Sequence, residues 1–347
     1  MDLLTQAALG AVVGEIVLSR KLGWRGAAWG LFFGVLPDLD VLALPFLDPE
    51  MGIRWHRGLS HSILIIFLAP TLLARPLSRC RWALGSTTGQ MWSLIFWTWS
   101  THSLLDCLTT YGTQIFEPFS DQRVALNVLF IVDPLFALPL LIGLFLALRQ
   151  PSGSTRRKKA IWLLSSASIL YLGFAFFMKS RAESQITHQV RNHLKEARVV
   201  QVSPAPFTTL LWRGLIETKD SYYLIYWSPF DQGKPQFQEI LKHRELSRDF
   251  QNTKVLDALQ WFSRGHWVAR QGKDRKLIII DLRLPEIRDP QNGVLQPIFQ
   301  WHLSKDPSGH IVAPMRRPTQ INYLPTMKIL FDRIIGDSKN WDALKSF

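Results

Sequence analysis

The chain has only two cysteines in 347 residues, Cys80 and Cys107, in different apolar regions. They are too few for a disulfide framework, and they form no CxxC site. The sequence also lacks a Gly-rich phosphate loop, a GxSxG turn, an internal repeat and a heptad pattern. These absences argue against phosphate-loop nucleotide binding, a serine-hydrolase elbow, a solenoid and a coiled coil. No basic segment precedes the first apolar stretch, so no cleavable signal peptide is expected. Acidic residues are scarce: 27 Asp and Glu stand against 40 Lys and Arg, for a formal charge of +13. Residues 1–180 hold 15 of the basic and 10 of the acidic residues. Such an excess can reflect nucleic acid, anionic lipid, or loop charges that orient a membrane protein. Nucleic acid is not expected as a partner, because the chain carries a membrane half. Protein partners are not indicated.

The hydrophobic share of 47% is ordinary for a soluble protein, but its distribution is not. Long apolar runs fill the chain to about residue 178, and a mixed composition follows. A helix needs about 20 mostly apolar residues to cross the hydrocarbon. Candidate spans are 5–19, 26–46, 60–76, 90–109, 126–148 and 160–178. The first is short and carries Glu15, which suits a partial or interfacial helix. Arg20, Lys21 and Arg25, then Arg75, Arg79 and Arg81, then Arg149, Arg156, Arg157, Lys158 and Lys159 fall in alternate loops. Cytoplasmic loops concentrate such residues. The expected fold is therefore a membrane α-helical bundle of about five to six spans over residues 1–180. A small extracytoplasmic α+β domain follows over 181–347, and the protein is expected to be a multi-pass protein of the bacterial inner membrane.

With that orientation, the ionisable groups of spans two to five all fall toward the outer face. They are Asp38 and Asp40 in PDLD, His56 and His61 in HRGLSH, His102 and Asp106 in THSLLD, and Asp133 before Pro134. Ionisable groups at that depth are costly, and they usually face a cavity, paired or bound to something. His102 and Asp106 are four apart on an expected helix, so both can reach one cation. Imidazole mixed with carboxylate suits zinc, manganese or iron(II) better than magnesium or calcium. The expected metal ligands are Asp38, Asp40, His56, His61, His102, Asp106 and Asp133, around one or two divalent ions, zinc first. Two-metal sites commonly hydrolyse phosphate esters or amides.

Each motif also has a plainer reading. PDLD can be a turn or helix cap, and the Asp133–Pro134 step a kink. HRGLSH can be an interfacial loop whose Ser60 caps the next helix. Arg57 is a candidate clamp for a phosphate or carboxylate of the substrate, because a guanidinium fork matches those anions. Ser62 and Ser103 follow histidines and can orient them.

The stretches DLLTQAALG, PDLD, HRGLSHS, THSLLDCLTTYGTQIFEPFS and the following DP resemble those of the bacterial membrane-bound metal-dependent hydrolases. These inner-membrane proteins include a LexA-regulated member. The resemblance covers about residues 1–150. LLWRG, YYLIYWS and WFSRG look like the extracytoplasmic domain of many members. The family is distantly similar to zinc-dependent phospholipase C, which implies phosphoester hydrolysis at the metal residues named above. One departure stands out: where the family usually has histidine in a D-x-x-T-H pattern, this chain has Gln6, and glutamine is a poor zinc ligand.

The second half reads as strands at TTLLWRGLIET, YYLIYWS, HWVARQ, KLIIIDLRL, PIFQWHLS and HIVAPM, with a helix at KVLDALQWFSR. Lys219, Asp220 and Ser221 suit a hairpin turn. Residues 182–198 read as a polar helical connector. Three functions remain open. The first is a phospholipase-like metal-dependent hydrolase at the outer leaflet, with membrane lipid as substrate or environment. Its catalytic residues would be Asp38, Asp106 and Arg57, with Asp38 or Asp106 as proton acceptor. The second is an ion- or proton-coupled transporter, and the third a non-catalytic adaptor with a degenerate metal site. Bound metal is the cheapest discriminator among them.

Overall fold

The computed structural model describes residues 1–272, 276–288, 295–306, 308, 310–316, 323–337 and 341. Asp2 starts the first helix by accepting from the Thr5 backbone N–H at 2.9 Å. That helix, α1 (Leu3–Leu22), ends at Gly23, whose φ of 60° turns the chain into α2 (Trp24–Val35). The two pack along a stripe of glycines. A Cβ at Gly10 would lie 2.3 Å from Gly30 O, and one at Gly14 would lie 2.1 Å from Gly26 O. Only glycine permits this approach, a common packing device in membranes.

Pro37 has no N–H to give to a continuing α-helix. The chain tightens there into a 3₁₀ stretch, Leu36–Phe46. Next come α3 (Pro49–Trp55), a 3₁₀ turn (Leu59–His61) and α4 (Ile63–Ser78). Then follow α5 (Thr88–Cys107, opened by a Thr87/Gln90 capping box), α6 (Pro134–Leu148) and α7 (Thr155–His193). Contacts divide the chain into two units. The first is Met1–Phe46, Trp55–Phe176 and Pro206–Thr208; the second is Leu47–Arg54, Phe177–Ala205 and Thr209–Phe347.

Among the described residues, three helices are long and apolar enough to cross a membrane: Leu3–Leu22, Trp24–Phe46 and Thr155–His193. A fourth arises if Pro49–His61 and Ile63–Ser78, bent by 57°, form one broken span. This is fewer than the five or six expected, for physical reasons. Helix α5 is 20 residues long but polar at intervals, and more than half of it is buried. A helix enclosed by its neighbours need not present an apolar surface to lipid. Residues 126–133 are not helical, which leaves α6 only 15 residues. Helix α1 differs the other way. It is complete despite Glu15, because that carboxylate is buried against Arg157, with Oε2 accepting from Nη2 at 2.7 Å. Two apolar clusters hold the unit. Leu18, Phe33, Met91, Leu94 and Ile95 form one, and Leu129, Leu140, Ile161 and Ala175 the other.

In the second unit, β1 (Arg198–Pro204), β2 (Trp212–Glu217), β3 (Ser221–Trp227) and β4 (Gln238–Leu241) form an antiparallel sheet in that order. Trp212, Ile216 and Ile225 feed one core, while Leu215, Tyr222 and Leu224 feed another, so both faces of the sheet are covered. A second antiparallel sheet combines β5 (Trp267–Gln271), β6 (Leu277–Asp281), β9 (Gln300–Lys305), β10 (Ile311–Val312) and β11 (Met315–Arg316). Two short strands, β7 (Glu286–Arg288) and β8 (Leu295–Pro297), pair apart. The helices here are α8 (Lys254–Phe262) and α9 (Tyr323–Ile334). The expected strands and the α8 helix are present, and the β2–β3 hairpin turns at Lys219 and Asp220. The connector after residue 182 is the continuation of α7 to His193.

Candidate metal centre

Three local structures in the first unit deliver four side chains to one point. The 3₁₀ stretch after Pro37 brings in Asp38, the 3₁₀ turn before α4 brings His61, and one face of α5 brings His102 and Asp106. His61 Nε2 lies 3.1 Å from His102 Nε2, 3.3 Å from Asp38 Oδ1 and 3.4 Å from Asp106 Oδ2. His102 Nε2 lies 3.6 Å from Asp38 Oδ1 and 3.5 Å from Asp106 Oδ2. All four ligand atoms fall within 4.8 Å of one another, and the group could hold a metal ion.

The surrounding hydrogen bonds show what the imidazoles present. His102 Nδ1 is 2.7 Å from Gly34 O, a group that only accepts, so the network puts its proton on Nδ1. Ser60 Oγ donates to Asp40 Oδ2 at 2.9 Å and therefore accepts from His61 Nδ1, also at 2.9 Å. Both Nε2 atoms then carry lone pairs and face each other, flanked by two carboxylate oxygens. Asp106 Oδ2 is buried and makes no hydrogen bond. Two imidazole nitrogens and two carboxylate oxygens, three of the four residues buried, thus converge on one point, an arrangement that a shared proton or a bound cation would hold together.

The other sequence-predicted residues lie around this group. Asp40 is two residues on from Asp38 in a helix of three per turn, so it points elsewhere. It binds His56 Nδ1 (2.7 Å), the Arg57 backbone N–H (3.0 Å) and Ser60 Oγ. His56 is thus held by Asp40 and stands outside the group of four, its ring beside that of Tyr111. Asp133 caps α6, accepting from the Leu135 and Phe136 N–H groups and from the Tyr171 hydroxyl. Arg57 does reach the site, its Nε 3.1 Å from Asp106 Oδ2.

The two serines of HRGLSHS exchange their expected roles. Ser62 caps α4 by accepting from Ile65 N–H, and Ser60 orients His61. The Ser103 hydroxyl makes no hydrogen bond among the described residues. Gln6 Nε2 donates to Asp106 Oδ1 (3.0 Å) and to His102 O (3.2 Å). Its amide nitrogen therefore holds Asp106 in place, and its Oε1 is buried without a hydrogen bond. The Met1 amine also pairs with Asp106 Oδ1. Gly58 keeps the loop closed: a Cβ there would lie 2.7 Å from Glu117 Oε2 and 2.9 Å from Trp55 O. Burial pushes the Glu117 carboxyl above its ordinary range, and Arg123 opposes that rise.

A family described as YdjM inner membrane protein matches residues 1–182. Inner membrane protein YbcI of Escherichia coli (strain K12) is 32% identical over 122 residues, covering 35% of this chain and 69% of that protein. No solved structure matches. Both descriptions place such proteins in the inner membrane, and neither carries a metal or an activity.

Proposed function

Because the chain belongs to the YdjM inner membrane protein family, we propose that it is a multi-pass inner-membrane hydrolase whose group Asp38, His61, His102 and Asp106 holds one divalent metal, zinc by preference. Its substrate is a phospholipid or another amphiphilic phosphoester at the outer face of the membrane. The observation that carries this reading is the spacing of the four donors. Zinc bonds of about 2.0–2.1 Å in a tetrahedron require donor separations of about 3.3–3.4 Å. The separations involving the two histidines run from 3.1 to 3.6 Å.

When bound, such an ion supplies Lewis acidity toward a phosphoryl oxygen and toward water. The remaining work belongs to the chain. Ser60 and Gly34 O hold both imidazoles with Nε2 inward. Both oxygens of Asp106 are engaged, Oδ1 by Gln6 and the Met1 amine, Oδ2 by Arg57. Asp38 is the most open of the four, with its side chain 14% exposed against 0–1% for the others. Its carboxylate is therefore the one that would leave the fourth position of such an ion to water or substrate and accept the proton. Leu39, Val41 and Leu42, beside it on the same 3₁₀ stretch, are exposed. Apolar side chains flanking an open carboxylate suit a substrate with a polar head and an acyl tail.

The orientation follows from loop charge. The basic turns lie at one end of α1, α2, α4 and α5, and the four donors come from the other end. The basic turns are cytoplasmic in this reading, so the site and the domain after α7 are extracytoplasmic. Gln6, standing where the resembling family has histidine, favours a second reading as a non-catalytic adaptor. The test is release of phosphorylated headgroup or diacylglycerol from vesicles by the purified full chain, before and after chelation and in His61→Ala. Release lost in both arms is expected. Bound metal without any ester cleavage would favour the adaptor.

A further inference from the structure

Arg57 has features that ligand geometry alone does not explain. It is 4% exposed and sits at φ 59°, a backbone region few residues with side chains adopt. Such backbone strain persists where the surroundings over-determine the residue. Here they do. The Arg57 N–H donates to Asp40 Oδ2, and its carbonyl accepts from Gln114 N–H at 2.9 Å. Nη1 donates to Thr109 Oγ1 at 3.2 Å, and the guanidinium carbon lies 4.9 Å from the centre of the Tyr111 ring. These anchors set Nε 3.1 Å from Asp106 Oδ2 without the alignment of a hydrogen bond. The oxygen keeps its lone pairs but is held by a fixed cation. Nη1 and Nε are thus committed within the protein, and the guanidinium meets Asp106 from a fixed position.

We propose that Arg57 is a positioning residue: its charge holds Asp106 Oδ2 inward while Gln6 tethers Oδ1, so that Asp106 binds metal through one oxygen and the centre stays four-coordinate. This rests on the reading of the four residues as a metal centre. Released from Arg57, the carboxylate can turn and offer both oxygens, which raises the coordination number. Outer contacts of this kind typically change metal affinity by about 10- to 100-fold.

The test is a Co²⁺ titration of the metal-free full chain in detergent. Visible absorption of cobalt is strong for four ligands and weak for five or six. Wild type should give the strong band. Arg57→Met should lose about 10- to 100-fold in affinity and show a weaker band. Arg57→Lys, which keeps the charge, should recover most of both. If Arg57→Met does not fold, Thr109→Val, which removes the acceptor of Nη1 together with the Thr109 Oγ1 hydrogen bond to Asp106 O (2.8 Å), should show a smaller loss in the same direction. Wild-type affinity and band in the folded variants would overturn the positioning role and leave the metal centre intact. No cobalt bound by wild type would overturn both.

Discussion

The two ends of α1 treat buried charge in opposite ways. Toward its C-terminal end, Glu15 meets Arg157 through both carboxylate oxygens, and the Arg157 Nη1 group is satisfied by Gln150 O and Ser152 Oγ. One anion meets one cation, and the arrangement is closed. At the other end, about 13 Å away at 1.5 Å per residue, Gln6 supports a group in which Arg57 and the Met1 amine both face Asp106, while Asp38 and the two histidines face one another with no such partner. Both arrangements are buried, so burial alone does not distinguish structure from function. What distinguishes them is whether the group is complete within the protein.

Breaking the closed end should have the largest effect on stability. Glu15→Ala leaves Arg157 buried without its partner and should cost about 3–5 kcal/mol. Metal content per folded chain should be unchanged, as read by thermal unfolding beside elemental analysis. Replacing the pair together with apolar residues should restore much of the loss, since buried ion pairs contribute little over well-packed hydrophobic side chains.

At the open end the order reverses. Asp40→Asn keeps the shape but weakens the support of Ser60 and His56. Metal affinity should fall by about 10- to 100-fold, roughly 1.4–2.8 kcal/mol, with little change in the unfolding midpoint of the metal-free protein. A titration with a competing chelator measures this.

Asp133 sharpens the contrast from outside. It is a helix cap with a tyrosine partner, so Asp133→Ala should cost about 0.5–2 kcal/mol in stability. It should leave metal stoichiometry unchanged. Loss of metal in this variant would return Asp133 to the ligand set.

The core of the site was legible from spacing. An imidazole and a carboxylate four apart on a helix share a face, which is how His102 and Asp106 come to point together. PDLD and HRGLSH were legible as contributors, but the residues within them were not sorted. Asp38 and Asp40 part because Pro37 tightens the helix to three residues per turn. Ser60 and Ser62 trade tasks because the 3₁₀ turn delays the start of α4 to Ile63. Nothing in their side chains signals that. The role of Gln6 depends on α1 packing beside α5, a long-range contact with no local trace. In the second unit the strongly apolar strands were visible. β1 and β4 were not, because Arg198–Pro204 is interrupted by Gln201 and Ser203, and Gln238–Leu241 is only four residues long. The helix expected over 126–148 begins only at Pro134, because residues 126–133 are apolar without being helical.

The most direct test is elemental analysis of the detergent-purified full chain beside His102→Ala/Asp106→Ala. One equivalent of zinc, or of manganese or iron, in the wild type and none in the double variant is the predicted result. A metal-free wild type that stays empty after reconstitution would contradict the metal centre, and with it the proposed hydrolysis.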